Sequence, residues 1–205
     1  IATATVNHAV LLDDRGRWRE ATAAYRRAEA VMRRDGNVLG EAMARINRLT
    51  IDVELGALDR VIPALQHVRR VFAAAGARPA EALAVLVLAR ALSRRNGPND
   101  AVPSQGELDD ALRIVEETYG AESAAWHRAC VIEVSLRAGH VRGARAAAHA
   151  LVDATASLDD EHLAPLAAAR VLAESEFLLG HHRNADRILS VAHERATRGG
   201  VGPEL

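Results

Sequence analysis

Gly16-Arg17-Trp18-Arg19-Glu20-Ala21-Thr22-Ala23-Ala24-Tyr25-Arg26-Arg27-Ala28 decides the fold of this 205-residue chain. Its glycine recurs at Gly56, Gly139 and Gly180, with gaps of 40, 83 and 41 residues, the middle one close to two periods. The same apolar pattern follows each glycine. Five residues on stand Ala21, Val61, Ala144 and Ala185; nine on, Tyr25, Leu65, Ala148 and Leu189; twelve on, Ala28, Val68, Leu151 and Ala192. Steps of four and three place each trio on one face of a helix. A period near 40 with one helical stripe per copy marks a helical-repeat array, which binds through its surface and seldom performs chemistry.

Outward from these glycines, the punctuation predicts ten helices in five antiparallel hairpins: about 2–14 with 17–34, 39–55 with 58–75, 79–95 with 107–119, 123–138 with 141–155, and 160–179 with 182–197. The expected fold is all-α, a right-handed α-α superhelix forming one repeat domain over residues 1–198, with a flexible tail at 199–205. Its repeats would span about 1–36, 37–77, 78–120, 121–157 and 158–198. Gly36 and Asn37 separate the first pair from the second, Gly76 and Pro79 the second from the third. The third pair breaks the rhythm, because the stretch from Gly97 to Gln105 is too rich in breakers to be helical and reads as an insertion loop at 97–105. If Gly106 supplies the turn there, Ala111, Val115 and Thr118 match the trio. Pro63 and Pro165 fall inside predicted helices, where a proline removes one backbone bond and bends the helix.

The composition fits such an array. The chain is 49% hydrophobic but only 3% aromatic, so its packing rests on Ala, Leu and Val. All 26 basic residues are arginine, which reads as codon bias in a GC-rich genome more readily than as selection for arginine chemistry. A formal net charge of −1 lacks the basic balance of a nucleic-acid-binding domain. The cluster Arg15, Arg17, Arg19, Arg26, Arg27, Arg33 and Arg34 is interleaved with acidic residues and reads as a solvated face. A lone cysteine, Cys130, cannot form an intrachain disulfide and points to a reduced, cytoplasmic setting. No apolar run reaches the roughly 18 residues of a membrane span. The chain starts at Ile1 without a signal-peptide pattern and reads as a piece of something longer.

The run from Gly16 to Ala21 with Tyr25 and Ala28 resembles the tetratricopeptide repeat (TPR), whose second helix opens with glycine, an aromatic and alanine. Ala9 and Ala173, each seven before a turn glycine, match the small residue of that family's first helix. Leu49, Ile132 and His182 depart from the pattern. The period, longer than the usual roughly 34, and the segment Ala111 to Gly120 look like the long-helix variety found in kinesin light chains and bacterial regulators. The run from Asn7 to Asn47, with Arg26 to Glu29 at its core, resembles the carboxy-terminal repeat regions of actinobacterial signal-transducing ATPase and cyclase-type regulators.

That resemblance implies a non-catalytic module that binds a peptide or partner domain on the concave face lined by the first helix of each hairpin. Nine before the turn glycine stand Asn7 and Asn47, then Cys130 and Val171; six before stand Val10, Thr50, Glu133 and Glu174. An asparagine offers a donor and an acceptor, so a pair one repeat apart could grip an extended backbone. An inter-helix hydrogen bond is the alternative account. Glu133, Arg137, Arg170 and Glu174 would form a mixed-charge floor. Family members that clamp a terminal carboxylate use lysine and asparagine; here Arg90 or Arg94 could substitute.

Catalytic and metal readings find less support. A phosphate-cradling loop needs a lysine that the chain lacks. His127 and Cys130 share a face without a third orienting group, and a buried cysteine is the simpler account. Asp159, Asp160, Glu161 and His162 read as the capped start of a helix, and His181 and His182 as solvated turn residues. No enzyme activity, cofactor or metal is expected. The rival expectations are an oligomerisation scaffold without a peptide ligand, or a small-molecule-sensing regulatory domain.

Overall fold

The computed structural model describes residues 2–97, 100–160 and 162–200. They form ten helices: α1 (Ala2–Asp14), α2 (Trp18–Arg34), α3 (Val38–Glu54), α4 (Leu58–Ala74), α5 (Arg78–Arg95), α6 (Gln105–Tyr119), α7 (Ala121–Arg137), α8 (Val141–Thr155), α9 (Leu163–Leu178) and α10 (His182–Arg198). No strand occurs among the described residues. The chain divides into two compact units between Pro103 and Ser104, at the end of the breaker-rich segment. The first holds α1 to α5 and the second α6 to α10.

In each unit successive helices pack on one another, and the odd-numbered helices also touch: α1 with α3, α3 with α5, and α7 with α9. The helices are short because a left-handed residue ends almost every one. Gly16, Gly36, Gly56 and Gly76 have φ of 70°, 69°, 78° and 66°, and Asn96, twenty residues on, has φ 50°. The next backbone amide then reaches back over the turn, as Ala57 does to the Asp52 carbonyl at 3.0 Å. The sequence period near 40 is therefore two helices of one half-period each.

The trios face inward. Ala21, Tyr25 and Ala28, then Val61, Leu65 and Val68, then Ala144, Ala148 and Leu151 are all buried. Small residues bring helices close: Ala28 and Met32 of α2 pack against Ala44 of α3. Leu151 of α8 joins Ala168 and Leu172 of α9 in the second unit's core. The pattern fails at two positions. Thr118 is exposed and its hydroxyl donates to the Ile114 carbonyl at 2.7 Å. Leu189 is exposed because no further helix lies on α10 among the described residues.

Three readings are corrected. Gly106 makes no turn: it lies in the first turn of α6, whose start is set by a reciprocal capping box. The Ser104 amide donates to Glu107 Oε2 at 2.9 Å, and the Glu107 amide to Ser104 Oγ at 3.4 Å. Pro165 falls in the first turn of α9, which begins at Leu163, so no intrahelical bond is lost there. The acidic run does not cap α9, whose N-cap residue is His162 and makes no side-chain cap. Asp160 instead grips α10 through Arg195 and Arg198, each at 2.9 Å, and Glu161 lies outside the described residues. Pro63 does sit within α4, on its exposed side. Of the tail at 199–205, residues 201–205 lie outside the described residues.

The glycines of the two classes should respond oppositely to alanine. Gly56→Ala forces a Cβ into the left-handed region and is expected to cost about 1–2 kcal/mol. Gly106→Ala is expected to be neutral or stabilising by up to about 1 kcal/mol, since its Cβ would meet nothing within 4 Å. Urea unfolding followed by circular dichroism separates the two.

Candidate functional site

Counting back from the left-handed residues Gly16, Gly56 and Asn96 aligns the odd helices of the first unit. Nine before stand Asn7, Asn47 and Val87; six before, Val10, Thr50 and Arg90; two before, Asp14, Glu54 and Arg94. The structure treats these residues unequally. Asn7 and Val10 are exposed on α1. Asn47 is half-buried and hydrogen-bonds the Tyr25 hydroxyl of α2. Thr50 turns back onto its own helix, donating to the Ile46 carbonyl at 3.1 Å.

A polar network surrounds Tyr25. Its hydroxyl bonds Asp13 as well as Asn47, and burial with the nearby Asp13 and Asp14 carboxylates raises its pKa. Burial, then Asp14 and Glu54, push the Asp13 carboxyl up to about 7, against the lowering effect of the Tyr25 bond. Asp13 and Tyr25 escaped the sequence reading as site residues, although a buried tyrosine needs a partner for its hydroxyl.

Arg90 is buried and forms a two-pronged ion pair with Glu54, its Nη2 lying 3.2 Å from Oε2. Arg94 adds bonds to the same carboxylate at 3.4 Å and to the Val53 carbonyl at 3.2 Å. The two arginines anticipated as a clamp for a carboxylate thus hold one from their own chain. The signal for it was the acidic residue two before the turn, at Asp14 and Glu54.

In the second unit the structure brings Glu133, Arg137, Arg170 and Glu174 together. Glu133 is fully buried and accepts from Arg170 at 2.6 Å, with Arg137 at 3.5 Å. Arg170 also lies 3.7 Å from Glu174. Both arginines keep part of their surface in solvent. Cys130 is buried on the same helix, and the His127 ring stacks edge-on against Trp126 with centroids 5.1 Å apart.

A second buried carboxylate, Glu176, ties three helices. It accepts from Arg145 of α8 at 2.6 Å and lies 2.7 Å from His181 Nδ1 at the head of α10. Burial works to raise its pKa, but His181, Arg145 and Asn184 outweigh it and hold the carboxyl at about 2. His181 is therefore no plain solvated turn residue, and His182 packs its ring against Phe177 at 4.8 Å. In this unit α6, α7 and α8 line an open pocket of about 490 Å³, with Leu112, Val131, Ile132 and Ala147 beside Asp109, Arg113, Glu116 and Arg128. Gly143 also lines it, and a Cβ there would meet nothing within 4 Å. Among the described residues no three His, Cys, Asp or Glu side chains gather as metal ligands would.

No protein-family model matches the chain, and no curated protein sequence matches it. Among solved structures, a crystal structure from Podospora anserina, described as a kinesin light chain with nearly identical TPR-like repeats, is similar with a TM-score of 0.54. The two share 15% identity over 98% of this chain and 96% of that chain. The chain has the TPR-like repeat fold. TPR-like folds typically mediate protein–protein interaction and are typically non-catalytic. No helix among the described residues is long and apolar enough to cross a membrane.

The two perturbed carboxyls predict opposite pH responses. Asp13 has a folded pKa above its ordinary 3.8, so its contribution is full below about 4 and lost as pH rises towards 7. Asp13→Asn should remove that loss and unfold at higher denaturant than the wild type at pH 8, with a smaller gap at pH 5. Glu176 has a folded pKa below its ordinary 4.5, so its contribution is lost as pH falls from 4.5 towards 2. Glu176→Gln should destabilise at pH 7 and flatten the acid limb. Urea midpoints measured across pH test both.

Proposed function

We propose that this chain is a non-catalytic docking module that holds an extended peptide or partner segment along the odd-numbered helices of its first unit. The observation that carries the reading is the face of α1 and α3, where exposed Asn7 and Val10 stand in register with Asn47 and Thr50. The exposed amide of Asn7 beside the apolar side chain of Val10 suits an extended backbone with a hydrophobic side chain. In the second unit the half-exposed Arg137, Arg170 and Glu174 around buried Glu133 present internally neutralised charge, and buried Arg90 is spent on Glu54 in the first, which favours a partner of mixed charge over an acidic tail. The perturbed carboxyls of Asp13 and Glu176 have structural partners that account for them, which further favours binding over catalysis. The likeness of Asn7 to Asn47 to actinobacterial regulators supports a role as the sensing or autoinhibitory arm of a larger cytoplasmic regulator. Repeats at about 1–36, 37–77, 78–120, 121–157 and 158–198 would be its building blocks.

Asn7 is the residue to change, because Asn47→Ala also removes the Tyr25 bond and about 1 kcal/mol of stability with it. A peptide selected from a displayed library on the wild-type protein should bind Asn7→Ala about tenfold more weakly, with unchanged helix content by circular dichroism. Equal affinity in calorimetry rejects the site.

The open pocket lined by α6, α7 and α8 favours a second reading, in which the second unit senses a small molecule. Gly143→Phe should fill it, and a compound that raises the wild-type melting temperature should then lose its effect. Retention of the shift places that compound elsewhere.

A further inference from the structure

Within each unit a hairpin is covered by the first helix of the next: α3 lies against α1 and α2, α5 against α3 and α4, and α9 against α7 and α8. The covering can be followed at fixed register. Nine after the turn, Tyr25, Leu65 and Ala148 are at most 1% exposed, whereas Leu189 of α10 is 48% exposed. Three before the turn, Val53 and Leu136 are at most 3% exposed, whereas Phe177 of α9 is 59% exposed. Leu178 and Val191 stand open beside them. The α9–α10 hairpin thus keeps an apolar face open among the described residues.

The covering helix has its own signature. Twelve and five before its turn it carries Ala44 and Ile51 in α3, Ala84 and Ala91 in α5, and Ala168 and Ser175 in α9, all buried. At the same places α1 carries Ala4, which is exposed, and Leu11, which is 61% exposed. The chain thus displays both halves of its own internal junction uncovered, one at each end. Charge agrees with the match. Thr22 and Leu55, six after and one before a turn, line one cavity at the α2–α3 junction. The equivalent positions at the two ends are Asp186 and Arg15, an acid against a base.

We propose that a second copy of this chain covers the α9–α10 hairpin with its α1, repeating between molecules the junction that α3, α5 and α9 make within one. The two patches differ, so the contact is heterologous and can propagate from copy to copy. By the register that pairs Tyr25 with Asn47, Asn7 of the covering copy stands opposite Leu189, so self-association and peptide binding use the same side of α1, and sedimentation of the chain without peptide tests the first apart from the second.

Sedimentation velocity tests it. The wild type should gain average mass as concentration rises from micromolar to hundreds of micromolar. Leu11→Glu blocks one patch and Leu189→Glu the other; both residues are exposed, so helix content should not change. Each variant alone should stay monomeric, and an equimolar mixture should form a heterodimer of twice the monomer mass and nothing larger. A wild type that stays monomeric throughout overturns the proposal, as does a Leu11→Glu protein that still self-associates or a mixture that does not pair.

Discussion

The left-handed residue that closes almost every helix governs the rest of this architecture. A reversal every twenty residues or so leaves helices of 13 to 18 residues, with successive helices of a unit folded back on one another. Helices this short are marginal in isolation, and each carries an apolar stripe that one neighbour cannot fully cover. The stripe keeps its phase because it is counted from the turn. Tyr25, Leu65 and Ala148 consequently meet the next helix at equivalent points despite their different sizes. Stability is then a sum of junctions between neighbours.

That same counting explains what was legible in the sequence. Glycine spacing and the trios gave ten helices with ends mostly within a few residues of those observed, because turn and stripe are both local. Gly106 misled because a glycine in a helix's first turn has the same letter as one in a left-handed turn, while the Ser104 and Glu107 capping box nearby carried the real start. The polar contacts were less legible, since they join residues far apart in sequence: Glu29 with Arg48, Glu54 with Arg90, Glu176 with Arg145. Their pairing depends on which side chains two helices bring to a crossing.

Asn47 shows where a longer-range signal did exist. Nine after one turn and nine before the next, the chain carries Tyr25 with Asn47, Leu65 with Val87, and Ala148 with Val171. The polar residue occurs where the facing position brings a hydroxyl into the core, and valine where it does not. A buried tyrosine hydroxyl without a partner costs more than its hydrogen bond returns, so Tyr25 accounts for Asn47 inside the fold. Asn7 has no preceding hairpin among the described residues to account for it, which separates two residues that looked equivalent in the sequence.

Buried ion pairs add what an alanine-rich stripe lacks. Uniform small side chains allow neighbouring helices to slide by a turn with little change in apolar burial, whereas a buried carboxylate allows no such freedom. Breaking a buried pair leaves an uncompensated charge, at a cost of roughly 3–5 kcal/mol. Arginine suits the task whatever the origin of its abundance here, because its planar fork can serve two carboxylates at once. Arg48 joins Glu29 at 2.6 Å and Asp52 at 3.0 Å, and Arg170 joins Glu133 at 2.6 Å and Glu174 at 3.7 Å. A lysine ammonium has no such planar fork to span both. The carboxylates therefore fix the register of α2 on α3 and of α7 on α9, and apolar burial supplies the attraction that the register organises.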